Sequence, residues 1–184
     1  MDDVRLSVIT TKYGDNGKTN LVNEEVLKSD EVIELIGTID EANACIGSAM
    51  EAVPINLPIL KTVQNSLFDL SADIIRERQE GERTVTIKHI QEIETIIKSL
   101  NEQLPPLTSF IIPKGRSAPM HLARTIVRRA ERCFWRYSEE RVLFDSTPGI
   151  YLNRLSDLLF VVCRYIHNRA DQEELWVKGG GVDV

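Results

Sequence analysis

The chain has 184 residues, a length that suits one domain built around a single core. Its 42% hydrophobic and 27% charged residues are ordinary for a globular protein, and no run of about 18 apolar residues predicts a membrane span. The formal net charge of -6 argues against non-specific nucleic-acid binding, so a phosphate-bearing ligand would need a local cluster of lysines and arginines.

The first 28 residues show no helical period, and their start lacks the pattern of a secretion signal or a transit peptide. We therefore expect a cytoplasmic protein. Helical periodicity then takes over, and the first helix is predicted from about Glu31 to Ala52. A second helix follows Pro58 and should stop near Gly81, and a third begins near Ile87 and is ended by Pro105.

The segment from Ser109 to Gly115 is extended in character, and we interpret it as a linker because no partner strand is evident. Two more helices are predicted, one from Ser117 to about Ser138 and one beginning near Ser146, each with a proline in its first turn. The sequence thus predicts one all-α domain, a five-helix bundle over residues 29–170. An N-terminal loop (residues 1–28) precedes the bundle, and a tail (residues 171–184) that should fray follows it.

The three cysteines, Cys45, Cys133 and Cys163, are far apart and lie in helical contexts. We interpret them as small buried hydrophobic residues, because their odd number and wide spacing do not predict disulfides or a zinc site. A di-iron bundle would need Glu-x-x-His pairs, and no glutamate lies three residues before any histidine. No side chain is assigned as a metal ligand.

The segment from Thr10 to Asn20 contains Gly17-Lys18-Thr19, which resembles the end of a P-loop. A P-loop needs a further glycine five positions before Gly17, where this chain has Lys12. What remains is a turn with two glycines and two lysines, whose backbone and side-chain donors suit a phosphate. Two interpretations stay open, a phosphate-binding loop of another type and a solvated N-terminal arm.

The fourth predicted helix carries a polar stripe in a segment with four arginines within nine residues. The stripe consists of His121, Arg124, Arg128, Glu131 and Arg132, and Arg129 is the fourth arginine. Arginine keeps its charge and its planar fork matches phosphate oxygens, so the stripe is a candidate anion site. An ordinary exposed helix face with internal Glu–Arg pairs remains the alternative. The histidine alone is more typical of packing or capping than of catalysis.

Two further polar groups interrupt otherwise apolar helices. Asn153, Ser156 and Asp157 are expected to be enclosed, where they either bond to one another or reach a ligand. In the first helix Gly37 suggests close packing, and the neighbouring carboxylates Asp40 and Glu41 either pair with the arginine stripe or form a solvated face.

Taken together in chain order, these segments resemble the PduO-type ATP:cob(I)alamin adenosyltransferases. The similar segments are Thr11–Thr19, Gly37–Asn43, Gln64–Asp73, Phe110–Pro113, His121–Arg132 and Tyr151–Asp157. The chain departs from the family pattern at Tyr13, where the family has threonine, and at Lys114, which replaces the first glycine of a Pro-Gly-Gly sequence.

The resemblance implies transfer of the 5′-deoxyadenosyl group of ATP to cob(I)alamin, in a homotrimer with active sites between subunits. It implies binding of ATP, with Mg²⁺, by the loop and by the arginine stripe of a neighbouring subunit. The residues concerned are Thr11, Lys12, Tyr13, Gly14, Lys18, Thr19, Asn20, Lys28, Arg128, Arg129, Glu131, Arg132 and Asn153.

On the corrinoid side, the resemblance implies an ion pair between Arg124 and Asp40, and a Phe110 ring that displaces the lower axial ligand of cobalamin. A cobalamin reductase is compatible as a partner, and no nucleic-acid or membrane partner is expected. Two other functions stay open. A nucleotide-sensing or cobalamin-delivery bundle would bind ATP without releasing triphosphate. A purely structural oligomer would show no ATP-dependent rise in thermal stability.

Overall fold

A computed structural model describes residues 10, 12–22, 24–53, 56–76, 83–139, 145–168 and 173–180. It confirms an all-α architecture of five long helices, to which a small two-stranded hairpin is added. The helices are α1 (Glu31–Ala52), α2 (Pro58–Arg76), α3 (Ile87–Asn101), α4 (Ala118–Glu139) and α5 (Thr147–Asn168), and the strands are β1 (Lys18–Leu21) and β2 (Glu24–Leu27). Within the described part of the chain, no helix has the length and apolarity to cross a membrane.

The helix boundaries follow local capping chemistry. Helix α1 has the predicted bounds, and the Asp30 side chain caps it by accepting a 2.9 Å hydrogen bond from the Val32 amide. Helix α5 begins after Asp145, whose carboxylate accepts a 2.9 Å bond from the Thr147 amide. Helix α3 ends at Asn101, before the predicted stop at Pro105. The predicted stop of α2 near Gly81 lies outside the described residues.

The core lies where α5 packs against α3 and α4, and where α1 packs against α4 and α2. The predicted stripe of α1 is fully enclosed and comprises Val32, Leu35, Ile39, Ala42, Ile46 and Ala49. Helix α5 contributes Tyr151, Leu152, Leu155, Leu159 and Val162 to the same core. Cys133 and Cys163 are buried as predicted, whereas Cys45 is only partly buried. Because these apolar faces are buried against one another, the polar faces of α4 and α5 keep fixed positions relative to each other.

The hairpin was not predicted, and it occupies the N-terminal segment. Its strands are antiparallel, with Thr19 opposite Val26, and Leu21 is buried against the helical core. Gly17 adopts φ 78° at the start of the hairpin, and its carbonyl accepts a 2.9 Å bond from the Lys28 amide. Four-residue strands with one buried apolar residue leave too weak an alternation to detect in the sequence.

The extended segment around Phe110 finds a partner in the C-terminal tail. The Ile112 amide donates to the Glu174 carbonyl at 2.8 Å, and the Trp176 amide donates to the Phe110 carbonyl at 2.7 Å. The segment is therefore a linker, as predicted, and it forms one isolated bridge, between Ile111 and Leu175, that the sequence did not indicate. Local sequence carries no signal for pairing between segments so far apart in the chain.

Close packing does not explain Gly37. A Cβ atom built there meets nothing within 4 Å, because the residue is exposed on α1. The close approaches occur at other glycines. A Cβ at Gly47 would lie 2.9 Å from the Gln64 side chain, and one at Gly149 would lie 2.7 Å from the Phe134 ring.

Candidate functional site

Two arginines of the α4 stripe are exposed to solvent. Arg128 and Arg132 are exposed one turn apart, and Arg132 Nη1 donates to the Arg128 carbonyl at 3.3 Å. That bond uses one nitrogen of Arg132, and a guanidinium carries five N–H donors in all. Two exposed guanidinium groups at this spacing form a site for a multiply charged anion.

A network of side-chain hydrogen bonds beside these arginines joins three helices. Asn153 Nδ2 donates to Glu131 Oε1 at 3.1 Å, which links α5 to α4. Arg154 Nη1 donates to Asn153 Oδ1 at 2.6 Å, and Arg154 Nε donates to Glu94 Oε1 of α3 at 2.7 Å. The side chain of Asn153 is thus held in one orientation by an acceptor on one side and a donor on the other.

The polar residues of α5, Asn153, Ser156 and Asp157, were predicted to be enclosed, and the structure differs at one of them. Ser156 is buried, and its hydroxyl donates to the Asn153 carbonyl at 2.8 Å. Asp157 is exposed, although the sequence predicted an enclosed side chain, because it lies on the α5 face that borders an open cavity. Although Asp157 is exposed, partial desolvation raises its pKa, while the positive charges of Arg154 and Arg128 lower it. Asp157 therefore shares the electrostatic environment of the arginine stripe.

The ion pair implied for Arg124 and Asp40 is not among the ion pairs of the described residues. The guanidinium carbon of Arg124 lies 5.9 Å from the centre of the Phe160 ring, so the side chain is turned toward α5. Its buried Nε has no hydrogen-bond partner there. The ion pair that does link α1 to α4 joins Arg129 to Glu41, the residue next to Asp40.

His121 packs in the interior, as the sequence suggested for a lone histidine. It is 2% exposed, and neither ring nitrogen has a hydrogen-bond partner within the described residues. Burial, together with the charges of Arg124 and His167, lowers the pKa of His121 to about 4. The imidazole is therefore neutral at pH 7 and is unsuited to act as a general acid.

The predicted phosphate loop folds into a 3₁₀ turn (Tyr13–Asn16) followed by the hairpin. Lys12 precedes the turn with a positive φ of 57°. A Cβ at Gly14 would lie 2.6 Å from Lys28 Nζ, so this lysine reaches over the turn close to the Gly14 backbone. Lys28 and Asn20 are exposed and Thr19 is half-buried. Thr11 lies outside the described residues.

Tyr13, which stands where the family pattern has threonine, contacts the hairpin through its hydroxyl group. Its hydroxyl lies 3.0 Å from Asn20 Oδ1 and 2.9 Å from Glu25 Oε1. Lys18 Nζ lies 2.5 Å from Glu25 Oε2, and its hydrogen bond lowers the pKa of Glu25. The tyrosine thus links the turn to both strands, which a threonine side chain is too short to do.

Phe110 is 77% exposed at the surface of its linker. Its ring meets the Trp176 ring edge-on, with centroids 6.2 Å apart and planes at 68°. An aromatic side chain so exposed, on a backbone held by the tail, is available for an apolar ligand.

A cavity of about 760 Å³ opens between α3 and α5. Its walls are mainly apolar, and its charged groups include members of the network described above. The residues that sequence reasoning had not assigned to the site are Glu94, Arg154, Phe160 and Arg164. Arg154 was detectable, since it stands beside Asn153 within a recognised segment. Glu94 had no such signal, because only packing of α3 on α5 brings it near.

The described part of the phosphate loop is not bonded to the arginine stripe. Among the described residues, no hydrogen bond or ion pair joins residues 12–28 to α4. The same part of the chain shows no group of three or more His, Cys, Asp or Glu side chains arranged to hold a metal ion.

Comparison with known proteins gives consistent matches along the chain. The family profile for cobalamin adenosyltransferase matches residues 9–166. The corrinoid adenosyltransferase of Mycobacterium leprae is 37% identical, over 96% of this chain and 99% of that protein. The corrinoid adenosyltransferase of Bacillus subtilis is 33% identical, over 87% of this chain and 86% of its own.

The fold is similar to solved structures of PduO-type ATP:corrinoid adenosyltransferase variants from Lactobacillus reuteri. One, complexed with cobalamin and ATP, has a TM-score of 0.82 and 28% identity, covering 92% of this chain and 96% of that chain. Another, complexed with ATP, has a TM-score of 0.81 and 27% identity, covering 92% and 100%.

Proposed function

Because the chain belongs to the cobalamin adenosyltransferase family, we propose that it transfers the 5′-deoxyadenosyl group of ATP to cob(I)alamin, releasing triphosphate. One observation of this chain carries the proposal. The exposed Arg128 and Arg132 stand beside the Asn153–Glu131 pair, so a polyanion site lies next to a fixed amide on the adjacent helix.

The triphosphate of Mg–ATP is assigned to these arginines. The reaction leaves negative charge on the departing triphosphate, and guanidinium groups already in place stabilise that charge without reorganisation. Arg129 is engaged with Glu41, so its proposed role is to hold α4 against α1 beside the site. Magnesium enters with the nucleotide, since it binds phosphates with few protein ligands and keeps several waters.

The N-terminal loop is assigned to the same nucleotide from a neighbouring subunit. Its donors include Lys18, Thr19, Asn20 and Lys28, and the space beside the Gly17 backbone is open to a ligand. Within one chain this loop makes no bond to α4 among the described residues. Completion of the site by a second copy accounts for that separation, and we propose a homotrimer as the assembly.

The corrinoid is assigned to the aromatic side of the site. Cobalt(I) is itself the nucleophile: its electron pair forms the bond to C5′, while the C5′–O bond breaks and its electrons leave with triphosphate. The protein aligns the reactants, with Phe160 lining the cavity, Arg124 over the Phe160 ring, and Phe110 facing the lower side of the corrin ring. A cobalamin reductase partner and cytoplasmic residence remain predictions from the sequence.

The decisive experiment mixes the protein anaerobically with Mg–ATP and chemically reduced cobalamin, and measures both the corrinoid spectrum and free triphosphate. We expect light-sensitive adenosylcobalamin and triphosphate in equal amounts. ATP binding without product would favour the sensing or delivery function. ATP at 100 times its dissociation constant should stabilise the fold by about 2.7 kcal/mol. No stabilisation and no product would favour a purely structural oligomer.

A further inference from the structure

Arg164 of α5 is a buried cation that the proposed mechanism does not use. It is 4% exposed, and its guanidinium binds two separate parts of the chain. Arg164 Nη2 donates to the Pro105 carbonyl at 2.7 Å, and Arg164 Nε donates to Glu173 Oε1 at 3.0 Å. Among the ion pairs between described residues, Arg164–Glu173 is the most buried.

The two acceptors, the Pro105 carbonyl and the Glu173 carboxylate, lie just before the two segments that pair around Phe110. Pro105 precedes the linker that carries Phe110, and Glu173 precedes the tail residues that bind this linker. We call residues 109–114 and 173–177 together the aromatic junction. Arg164 thus joins the two segments at the buried end of the aromatic junction.

Ile111 of the aromatic junction is buried, but the other side-chain hydrogen bond and ion pair there involve more exposed residues. The Ser109 hydroxyl donates to the Trp176 carbonyl at 2.7 Å, and Lys114 pairs with Glu174 at the surface. Exposed ion pairs contribute little, whereas a buried guanidinium that holds two acceptors strongly restricts both. The backbone bonds at Phe110 and Ile112 therefore depend on the buried contact to keep the tail in register.

We propose that Arg164 is a positioning residue, which holds the tail against the linker and so sets where the Phe110 ring stands. The inference rests on the proposed function, in which Phe110 faces the corrinoid. Because Phe110 is 77% exposed, packing from its own helix bundle does not hold its ring. The tail does so, through the Trp176 ring and the backbone bonds, and Arg164 holds the tail.

The test compares Glu173→Ala with Glu173→Gln, which keeps an oxygen acceptor for Arg164. Hydrogen exchange of the peptides covering the aromatic junction is measured first. A lost charge-assisted bond corresponds to about tenfold or more, so Glu173→Ala should accelerate exchange there about tenfold. Glu173→Gln should stay within about threefold of wild type, because neutral bonds are weaker but retained. The matched control is Glu102→Ala, an exposed carboxylate after α3.

Adenosylation is then measured from cobalt(II) with a reductant and from pre-reduced cobalt(I). Because Phe110 is proposed to displace the lower ligand of cobalamin, Phe110→Ala should slow the reaction from cobalt(II) much more than the reaction from cobalt(I). Glu173→Ala should show the same selectivity, slowing the cobalt(II) reaction about tenfold and the cobalt(I) reaction less than about threefold. A merely structural role would slow both reactions alike. Glu173→Asp, which keeps the charge but shortens the reach, replaces Glu173→Ala if the latter does not fold.

Unchanged exchange at the aromatic junction in Glu173→Ala would overturn the proposal, whatever the activity. Faster exchange with equal slowing from both cobalt states would also overturn it. If wild type makes no adenosylcobalamin, the proposed function fails, and the exchange measurement still decides whether Arg164 holds the aromatic junction. If Phe110→Ala alone shows no selectivity, the role of Phe110 fails separately.

Discussion

Asn153 of α5 donates a hydrogen bond to Glu131 of α4 across 3.1 Å, directly beside the exposed arginines. The bond fixes which way the Asn153 amide faces, since its oxygen accepts from Arg154 at 2.6 Å. An amide between a carboxylate and a guanidinium offers a donor to one and an acceptor to the other. No charged residue of the same size fits both neighbours.

Asn153→Asp should therefore weaken ATP binding while the fold is kept. The new carboxylate faces Glu131 and adds a negative charge beside the proposed triphosphate site. Like charges at this distance disfavour each other, and the KM for ATP should rise about tenfold or more. Steady-state kinetics check the KM, and thermal unfolding checks the fold. An unchanged KM would remove Asn153 from the nucleotide site.

Arg128→Lys should lose activity although the charge is retained. Lysine cannot reproduce the two parallel donors of a guanidinium. Loss of one charge-assisted bond corresponds to about 1.5–3 kcal/mol, so kcat/KM should fall about tenfold or more. Arg136→Lys, an exposed position on the last turn of the same helix, is the matched control and should behave as wild type. Equal activity of both variants would contradict the assignment.

Gly149→Ala tests the packing of α4 on the first turn of α5. An added Cβ would lie 2.7 Å from the Phe134 ring and 2.8 Å from Trp135 Cζ2. The buried Phe134 ring can yield only by shifting its neighbours, so the free energy of unfolding should fall by about 1–3 kcal/mol. Gly37→Ala is the control, since its Cβ meets nothing within 4 Å and it should be neutral or stabilising. Urea unfolding of both variants measures the difference.

His121 should make the stability depend on pH in a defined window. Its pKa is lowered from 6.5 to about 4 in the folded chain. Between these values the unfolded chain binds a proton that the folded chain does not, so the free energy of unfolding falls as the pH falls. The loss is at most about 3.4 kcal/mol, at 1.36 kcal/mol for each pKa unit.

His121→Leu removes this dependence. Because neither imidazole nitrogen has a described hydrogen-bond partner, the apolar variant should differ from wild type by less than about 1.5 kcal/mol at pH 7.5. Between pH 6.5 and 4 its unfolding free energy should decline less steeply than that of wild type. Parallel curves for the two proteins would show that His121 does not titrate in this way.

The five helices were predictable because their signal is local. An apolar residue every three or four positions along α1 marks the face that its neighbours cover, and a capping aspartate marks its start. The segments that resemble the family also contain the arginine stripe and Asn153. The chemical character of these side chains follows from residue type alone, so it could be predicted without knowing which groups they contact. Those features were determined by the sequence alone.

Contacts between distant segments were decided only by the tertiary structure. The tail that binds the Phe110 linker, the Arg129–Glu41 pair in place of Arg124–Asp40, and the proximity of Glu94 to Arg154 all depend on how whole helices dock. Periodicity shows which face of a helix is buried, but it does not specify which helix packs against that face or how the two are positioned along their axes. This position determines the hydrogen-bond partners, because a shift of one residue along a helix places a different side chain at each contact.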